Sequence, residues 1–371
     1  MATFSKSLAT IILAGSAFAA PASSPVDNTQ PVGENPIGQF SVEFLGNQVA
    51  DNSCSHRDLG FAGHIQDKWY AVYGDTLWCA PGISDQAADT DGQFHGMVRD
   101  SVSALTGNPL VVHDLFLNDD SPVAHQKQFV PFEGKWGEDS LVGFGGTGLV
   151  ETSYANATGA VYYLVNHAED YRGAGVAKVQ VTDGVPAVTE RLGDNGYWWD
   201  AKENPKYGDV AAYRDIHSEY IYILGNPPGK ITSWPDNAYI YQARVKATDA
   251  FDLSKYEYWW GREKGWKSDL LTTFTAETAV LWGAGQGQIV YSQHFKTYFY
   301  VHLQGVTVLL RSAPLPEGPW SAAREIYTAT PINDGLVYAG VAYPYLDESG
   351  ETLTMAFTNN NHIQVIRVTF A

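Results

Sequence analysis

Between Cys54 and Cys79 the chain reads SHRDLGFAGHIQDKWYAVYGDTLW. Asp58 and Asp75 lie near its two ends, around an apolar hairpin, and the flanking cysteines are the chain's only two. A carboxyl pair can share acid–base work: one member is held protonated to donate, the other stays ionised to attack or to activate water. That is the requirement for breaking an acetal bond. Two cysteines allow one connectivity, so a Cys54–Cys79 disulfide is expected to brace the wall carrying both aspartates. As a plain loop staple it would also contribute roughly 3 kcal/mol.

Asp is a common turn former, so Asp209 and Glu277 stand as alternatives for one member of the pair. A hydroxylated ring also needs amides for its hydroxyls and aromatic faces for its C–H groups. Trp199, Tyr207, Asn166, Asn226, Trp282 and Tyr338 are the candidates, drawn from runs such as GYWWD and from polar turns. Other chemistries find less support. The chain has no G-x-S-x-G elbow and no H-E-x-x-H. GFGGTG, from Gly143, leads into a strand with no basic residue beside it, and reads as a tight turn. DQAADTDGQ, from Asp85, has oxygen donors for a structural Ca²⁺ but lacks EF-hand spacing. No metal or other cofactor is expected.

These residues need a scaffold that brings distant turns to one face. Helical periodicity is nearly absent, and short apolar strands bounded by Gly, Pro, Asn and Asp dominate. Five segments resemble one another: KWYAVYGDT, AVYYLVNHA, EYIYILGNPP, KTYFYVHLQG and ETLTMAFTNN. Each has a strand before it and a strand after it, and the first four units have a fourth strand. The last unit ends at HIQVIRVTF, one strand short, while FSVEFLG near the start of the domain has no unit of its own. The reading is an all-β, five-bladed β-propeller closed by that N-terminal strand, which removes the exposed edges. Two packed β-sandwiches are the competing architecture. With strands a to d running outward from the axis, the d–a links and b–c turns share one face. Asp58 at the entry to the first strand a and Asp75 in the first b–c turn both fall on it.

Lys6 and the apolar run LATIILAGSAFAA, in which Ala17-Phe18-Ala19 offers a small-x-small cleavage site, read as a signal peptide over 1–19. Residues 20–35 read as a disordered lead-in and 36–371 as a single domain. The expected product is secreted, extracellular and monomeric. Asn156, in NAT, is an N-glycosylation sequon on the face opposite the aspartates. The formal charge of −18 and pI near 4.8 leave no basic footprint for nucleic acid or an anionic membrane.

The stretch HRDLG followed by KWYAVYGDT resembles the opening of glycoside hydrolase family 183, formerly domain of unknown function 4185. RSAPLPEGPWS is similar to a segment found there and in glycoside hydrolase family 43. The resemblance implies a five-bladed propeller that cleaves a polysaccharide, arabinan-like in type, with two first-blade aspartates that fall on Asp58 and Asp75. The cysteines, the insertion after Cys79 and the sequon depart from the pattern. The expected function is therefore hydrolysis of a glycosidic bond. A non-catalytic sugar-binding propeller would use the same amides and rings without the carboxyl pair. A polysaccharide lyase would set Arg172, His and Tyr side chains against a uronate.

Overall fold

A computed structural model describes residues 33–118, 124–146, 148–167 and 170–371. The expected signal peptide and most of the lead-in lie outside these residues.

Five sheets make the five blades of a propeller, antiparallel except for a two-residue edge strand, Val49–Ala50, that runs parallel to Val111–Val112 in the first. β1 (Phe40–Asn47) comes first in the chain but pairs last. Blade one holds β2 (Ser55–Ile65), β3 (Lys68–Trp78), β4 (Ser101–Leu105) and β5 (Val111–Asp114). Blade two holds β6 (Val142–Gly146) and β7 (Val150–Ser153), which share the inner position. β8 (Thr158–His167), β9 (Asp170–Thr182) and β10 (Val185–Arg191) complete it. Blade three runs through β11 (Lys206–Arg214), β12 (Tyr220–Asn226), β13 (Tyr239–Lys246) and β14 (Glu257–Trp259). Blade four has β15 (Gly287–Ser292), β16 (Thr297–Gln304), β17 (Thr307–Ala313) and β18 (Arg324–Thr328). Blade five has β19 (Val337–Tyr343), β20 (Thr352–Asn359) and β21 (His362–Phe370). β1 is its outer strand, antiparallel to β21 with Phe40 opposite Phe370. The orphan strand thus supplies the missing fourth position and joins the two ends of the domain.

The core is distributed. Among the described residues, five apolar clusters occupy the five gaps between neighbouring blades. The two-residue period of a strand explains why. On β3, Tyr70 and Val72 pack toward blade two, while Ala71 and Tyr73 pack toward blade five. Each central strand is covered on both faces, so it reads as a continuous apolar run instead of an alternating one. No helix among the described residues is long and apolar enough to cross a membrane.

Candidate active site

Near the axis the inner strands break their ladders, and the polar side chains sit at those breaks. β2 and β3 are in regular register through Arg57 and Thr76, then shift at Leu59 and again before Phe61. Asp58 therefore faces the Gly74–Asp75 pair across the strands. A bulge bends a strand and re-aims a side chain, and such bulges collect next to active sites. Leu59 is left-handed, with φ 64°, a conformation that costs a residue other than glycine about 1–3 kcal/mol. Its amide is held by Thr358 Oγ1 at 2.9 Å, and the Arg57 amide donates to Asn361 O at 2.8 Å. Blade five thus clamps β2 on both sides of Asp58. Blade five has its own break, between Tyr338 and Val341.

Asp58 is 4 % exposed. Tyr338 donates its hydroxyl to Asp58 Oδ2 at 2.5 Å, while the buried Oδ1 has no hydrogen-bond partner. Gly74 leaves the room for it, since a Cβ there would stand 2.4 Å from Oδ1. Burial first, and the nearby Asp75 charge second, push the Asp58 carboxyl up to about 7 against the hydroxyl of Tyr338 and the backbone amides of Asp75 and Gly74. A carboxyl held at that level keeps a proton to donate near neutral pH.

Asp75 differs in its neighbours. Burial raises it to about 6, opposed by the Arg99 guanidinium, whose Nη1 is 3.5 Å from Asp75 Oδ1. Arg99 is itself held by Ser140 O at 3.0 Å. The next residue, Asp100, is a third buried carboxyl. It accepts from the backbone of Phe129 and Val130, each at 3.0 Å, and from the Gln128 amide, and burial pushes it up to about 8. Arg99 and Asp100 escaped the sequence reading. Their one sequence signal is an Arg-Asp pair at the start of an otherwise apolar strand.

Cys54 and Cys79 form the disulfide, with Cα atoms 5.5 Å apart. It ties the approach to β2 to the end of β3, on the wall that carries both aspartates.

The remaining candidates separate into groups. Asp209 is buried at a three-residue break in β11. It accepts from Asn226 N and Nδ2, both at 3.0 Å, and burial raises its pKa against the pull of Lys206. Gln286 donates to Asp209 O at 3.1 Å and accepts from Gly340 N at 3.2 Å, which links this group to the strand of Tyr338. Asn166 is buried at the end of β8 with Oδ1 unpartnered. Trp282 is half-buried against Trp234, ring centroids 5.1 Å apart. Glu277 is exposed and accepts the Thr275 hydroxyl; it lies in a turn well ahead of β15, not at an inner strand.

Trp199 and Tyr207 correct the sequence reading. At 1 % and 0 % exposed they belong to the core between blades two and three. Trp199 Nε1 donates to Tyr258 at 3.1 Å, so neither ring is offered to a ligand. The carboxylates of the Asp85 segment already have partners within the protein, Asp85 and Asp91 in their own loop and Asp89 at Ala80 N and His56. Asp85 caps Ala87 N at 3.0 Å, and Asp91 takes Gln93 N at 2.8 Å. His56, Cys79 and Asp89 gather within 4.8 Å, but Cys79 is bonded to Cys54, and His56 and Asp89 satisfy each other at 2.8 Å. Asn156 is exposed in the turn between β7 and β8.

A family model described as Domain of unknown function (DUF4185) matches residues 187–369. That span leaves Asp58 and Asp75 outside it. A search of curated proteins found no match. Among solved structures, the chain is similar to a candidate hydrolase from Bacteroides ovatus, at 16 % identity and TM-score 0.58, covering 85 % of this chain and 86 % of that one. It is also similar to the GH43_1 enzyme from Xanthomonas citri complexed with xylotriose, at 13 % identity and TM-score 0.50, covering 88 % and 89 %. These likenesses agree with the five-bladed propeller architecture.

Proposed function

We propose that this protein hydrolyses a glycosidic bond in a polysaccharide, with Asp58 as the acid and Asp75 as its ionised partner. The observation that carries the reading is the opposed surroundings of two carboxyls facing each other across one hairpin. Asp58 is buried, and its carboxyl is held high enough to keep a proton near neutral pH. Asp75 has a guanidinium at its side that favours the charged form. In hydrolysis Asp58 would protonate the leaving oxygen, while Asp75 would attack the anomeric carbon or take a proton from water. The propeller likeness to a GH43_1 enzyme supports a sugar ligand, and Trp282, Asn166 and Asn226 are the side chains we assign to it. The bare sugar-binding alternative gives no reason to bury three carboxyls in one wall.

An arabinan-type polymer is the first substrate to try, on the strength of HRDLG and GDT. The reading includes an exported monomer, supported by the Lys6-led apolar run, the disulfide and the sequon. The test is to incubate the purified protein with plant and microbial polysaccharides and to follow reducing ends and ultraviolet absorbance together. New reducing ends without absorbance support hydrolysis. Unsaturated product would establish a lyase, and binding with no product a lectin.

A further inference from the structure

Gln288, on the inner strand β15, reaches across the axis: Oε1 accepts from Ala62 N at 3.2 Å and Ala342 N at 3.4 Å, and Nε2 donates to Ala62 O at 3.1 Å. This buried amide ties the inner strands of blades one, four and five together. On the face opposite the carboxylate mouth, at the a–b turns, lies a cavity of about 450 Å³. The volume falls in the range of small-molecule sites, which are mostly apolar with a few converging polar groups.

Its wall fits that description. Leu149, Ala212, Ile289 and Phe299 give it apolar sides, and Trp69, Tyr291 and Tyr345 give it rings. Arg214 and His64 stand among them. Arg214 Nη1 donates to the carbonyls of Asp215, Ser218 and Tyr220 at 2.5, 2.6 and 3.3 Å. Those bonds orient the guanidinium without neutralising it, and no carboxylate among the described residues lies within ion-pair distance. The chain has 41 acidic residues to 23 basic ones, so the missing counter-ion does not reflect a shortage of acids. The two acids at the rim do not supply it. Asp347 is engaged by its own turn, accepting from Ser349 and Thr352, and Glu348 is exposed. The His64 ring lies 4.8 Å from that of Trp69, and neither of its nitrogens is hydrogen-bonded among the described residues. Burial lowers its pKa, against the charges of Glu151 and Asp67; those two carboxylates accept from Gln66 N and the Tyr154 hydroxyl.

We propose that this well is a second ligand site, taking a single-ring aryl carboxylate whose ring enters the apolar wall and whose carboxylate meets Arg214 and His64. A guanidinium and a carboxylate form charge-assisted hydrogen bonds of roughly twice the ordinary strength, and the apolar surround keeps that pairing from being screened. None of Asp58, Asp75, Arg99, Asp100 and Tyr338 lines this cavity, so the site is distinct from the carboxylate mouth.

The test uses the whole protein and two probes, 4-fluorophenylacetate and its amide, followed by ¹⁹F NMR titration. The acid should bind with Kd on the order of 0.1–1 mM, as its size allows, and the amide at least about tenfold more weakly. Ala212→Phe, which fills the well and leaves Arg214 in place, should abolish binding. Equal binding of acid and amide, no binding of the acid up to about 10 mM, or unchanged binding in Ala212→Phe would overturn the proposal. The acid–amide comparison on the unaltered chain is decisive by itself if the variant fails to fold.

Discussion

Replacing Asp58 by Asn should make the protein less active and, at alkaline pH, more stable. The folded Asp58 carboxyl titrates at about 7 against an ordinary 3.8, a difference of about 3 pH units. Each unit corresponds to about 1.4 kcal/mol, so ionising this group in the fold costs about 4 kcal/mol more than in the unfolded chain. Because the folded pKa is the higher one, the folded state binds more protons between these values. Stability is then lost as pH rises from about 4 to about 7. Asn carries no charge and escapes the loss. It can still accept the Tyr338 hydroxyl, but its Nδ2 would occupy the unpartnered Oδ1 position, at a cost of about 1–2 kcal/mol. The variant should therefore be equal to the parent or about 1–2 kcal/mol less stable at pH 4, and about 2–3 kcal/mol more stable at pH 8.5. Urea unfolding of both proteins across this range measures the difference. Two stability curves that run parallel, within about 0.5 kcal/mol, would refute the assignment of a strained, protonated Asp58.

Activity should follow a narrow bell with its optimum between about 6 and 7, because Asp75 must be ionised and Asp58 protonated and the pair titrates as a unit. A broad plateau up to pH 9 would remove Asp58 from the role of acid. Tyr338→Phe takes away a hydrogen bond that holds Asp58 down, so the alkaline limb should move upward by about half a unit to one unit and turnover should fall about tenfold. Cys54→Ala with Cys79→Ala opens a 25-residue separation and should lower stability by about 3 kcal/mol in urea unfolding; a loss under about 1 kcal/mol would end the idea of a clamped wall. Trp282→Ala should raise KM several-fold with the fold intact, whereas Trp199→Phe should lower the melting temperature and leave KM alone; the reverse pattern would restore Trp199 as a ligand residue.

The ring was legible because each blade buries a central strand on both faces, which leaves a run such as KWYAVYG repeated along the chain. Strand counting did the rest, since HIQVIRVTF needed a partner and FSVEFLG lacked one. The Asp58–Asp75 meeting was legible from topology, as the start of strand a and the end of strand b share a face, although Asp75 lies within β3 and not in the b–c turn. The bulges that aim them were not, because nothing in Asp-Leu-Gly announces a left-handed leucine. Arg99 and Asp100 were hidden for a related reason: their partners at Ser140, Phe129 and Val130 are 29 to 41 residues away in loops. Trp199 and Tyr207 misled because an aromatic residue beside polar turns suits a sugar face and a packed gap equally well. Only burial separates the two cases.

The most direct test of the central claim is the rate at which reducing ends appear from an arabinan-type polysaccharide, compared among the parent, Asp58→Asn, Asp75→Asn and the double variant. Each single variant should stay folded and lose at least about a thousandfold in turnover, and the double variant should lose little more, since residues acting as a unit do not add. Near-parental turnover in either single variant, or losses that multiply in the double, would contradict the account and move the search to Asp209.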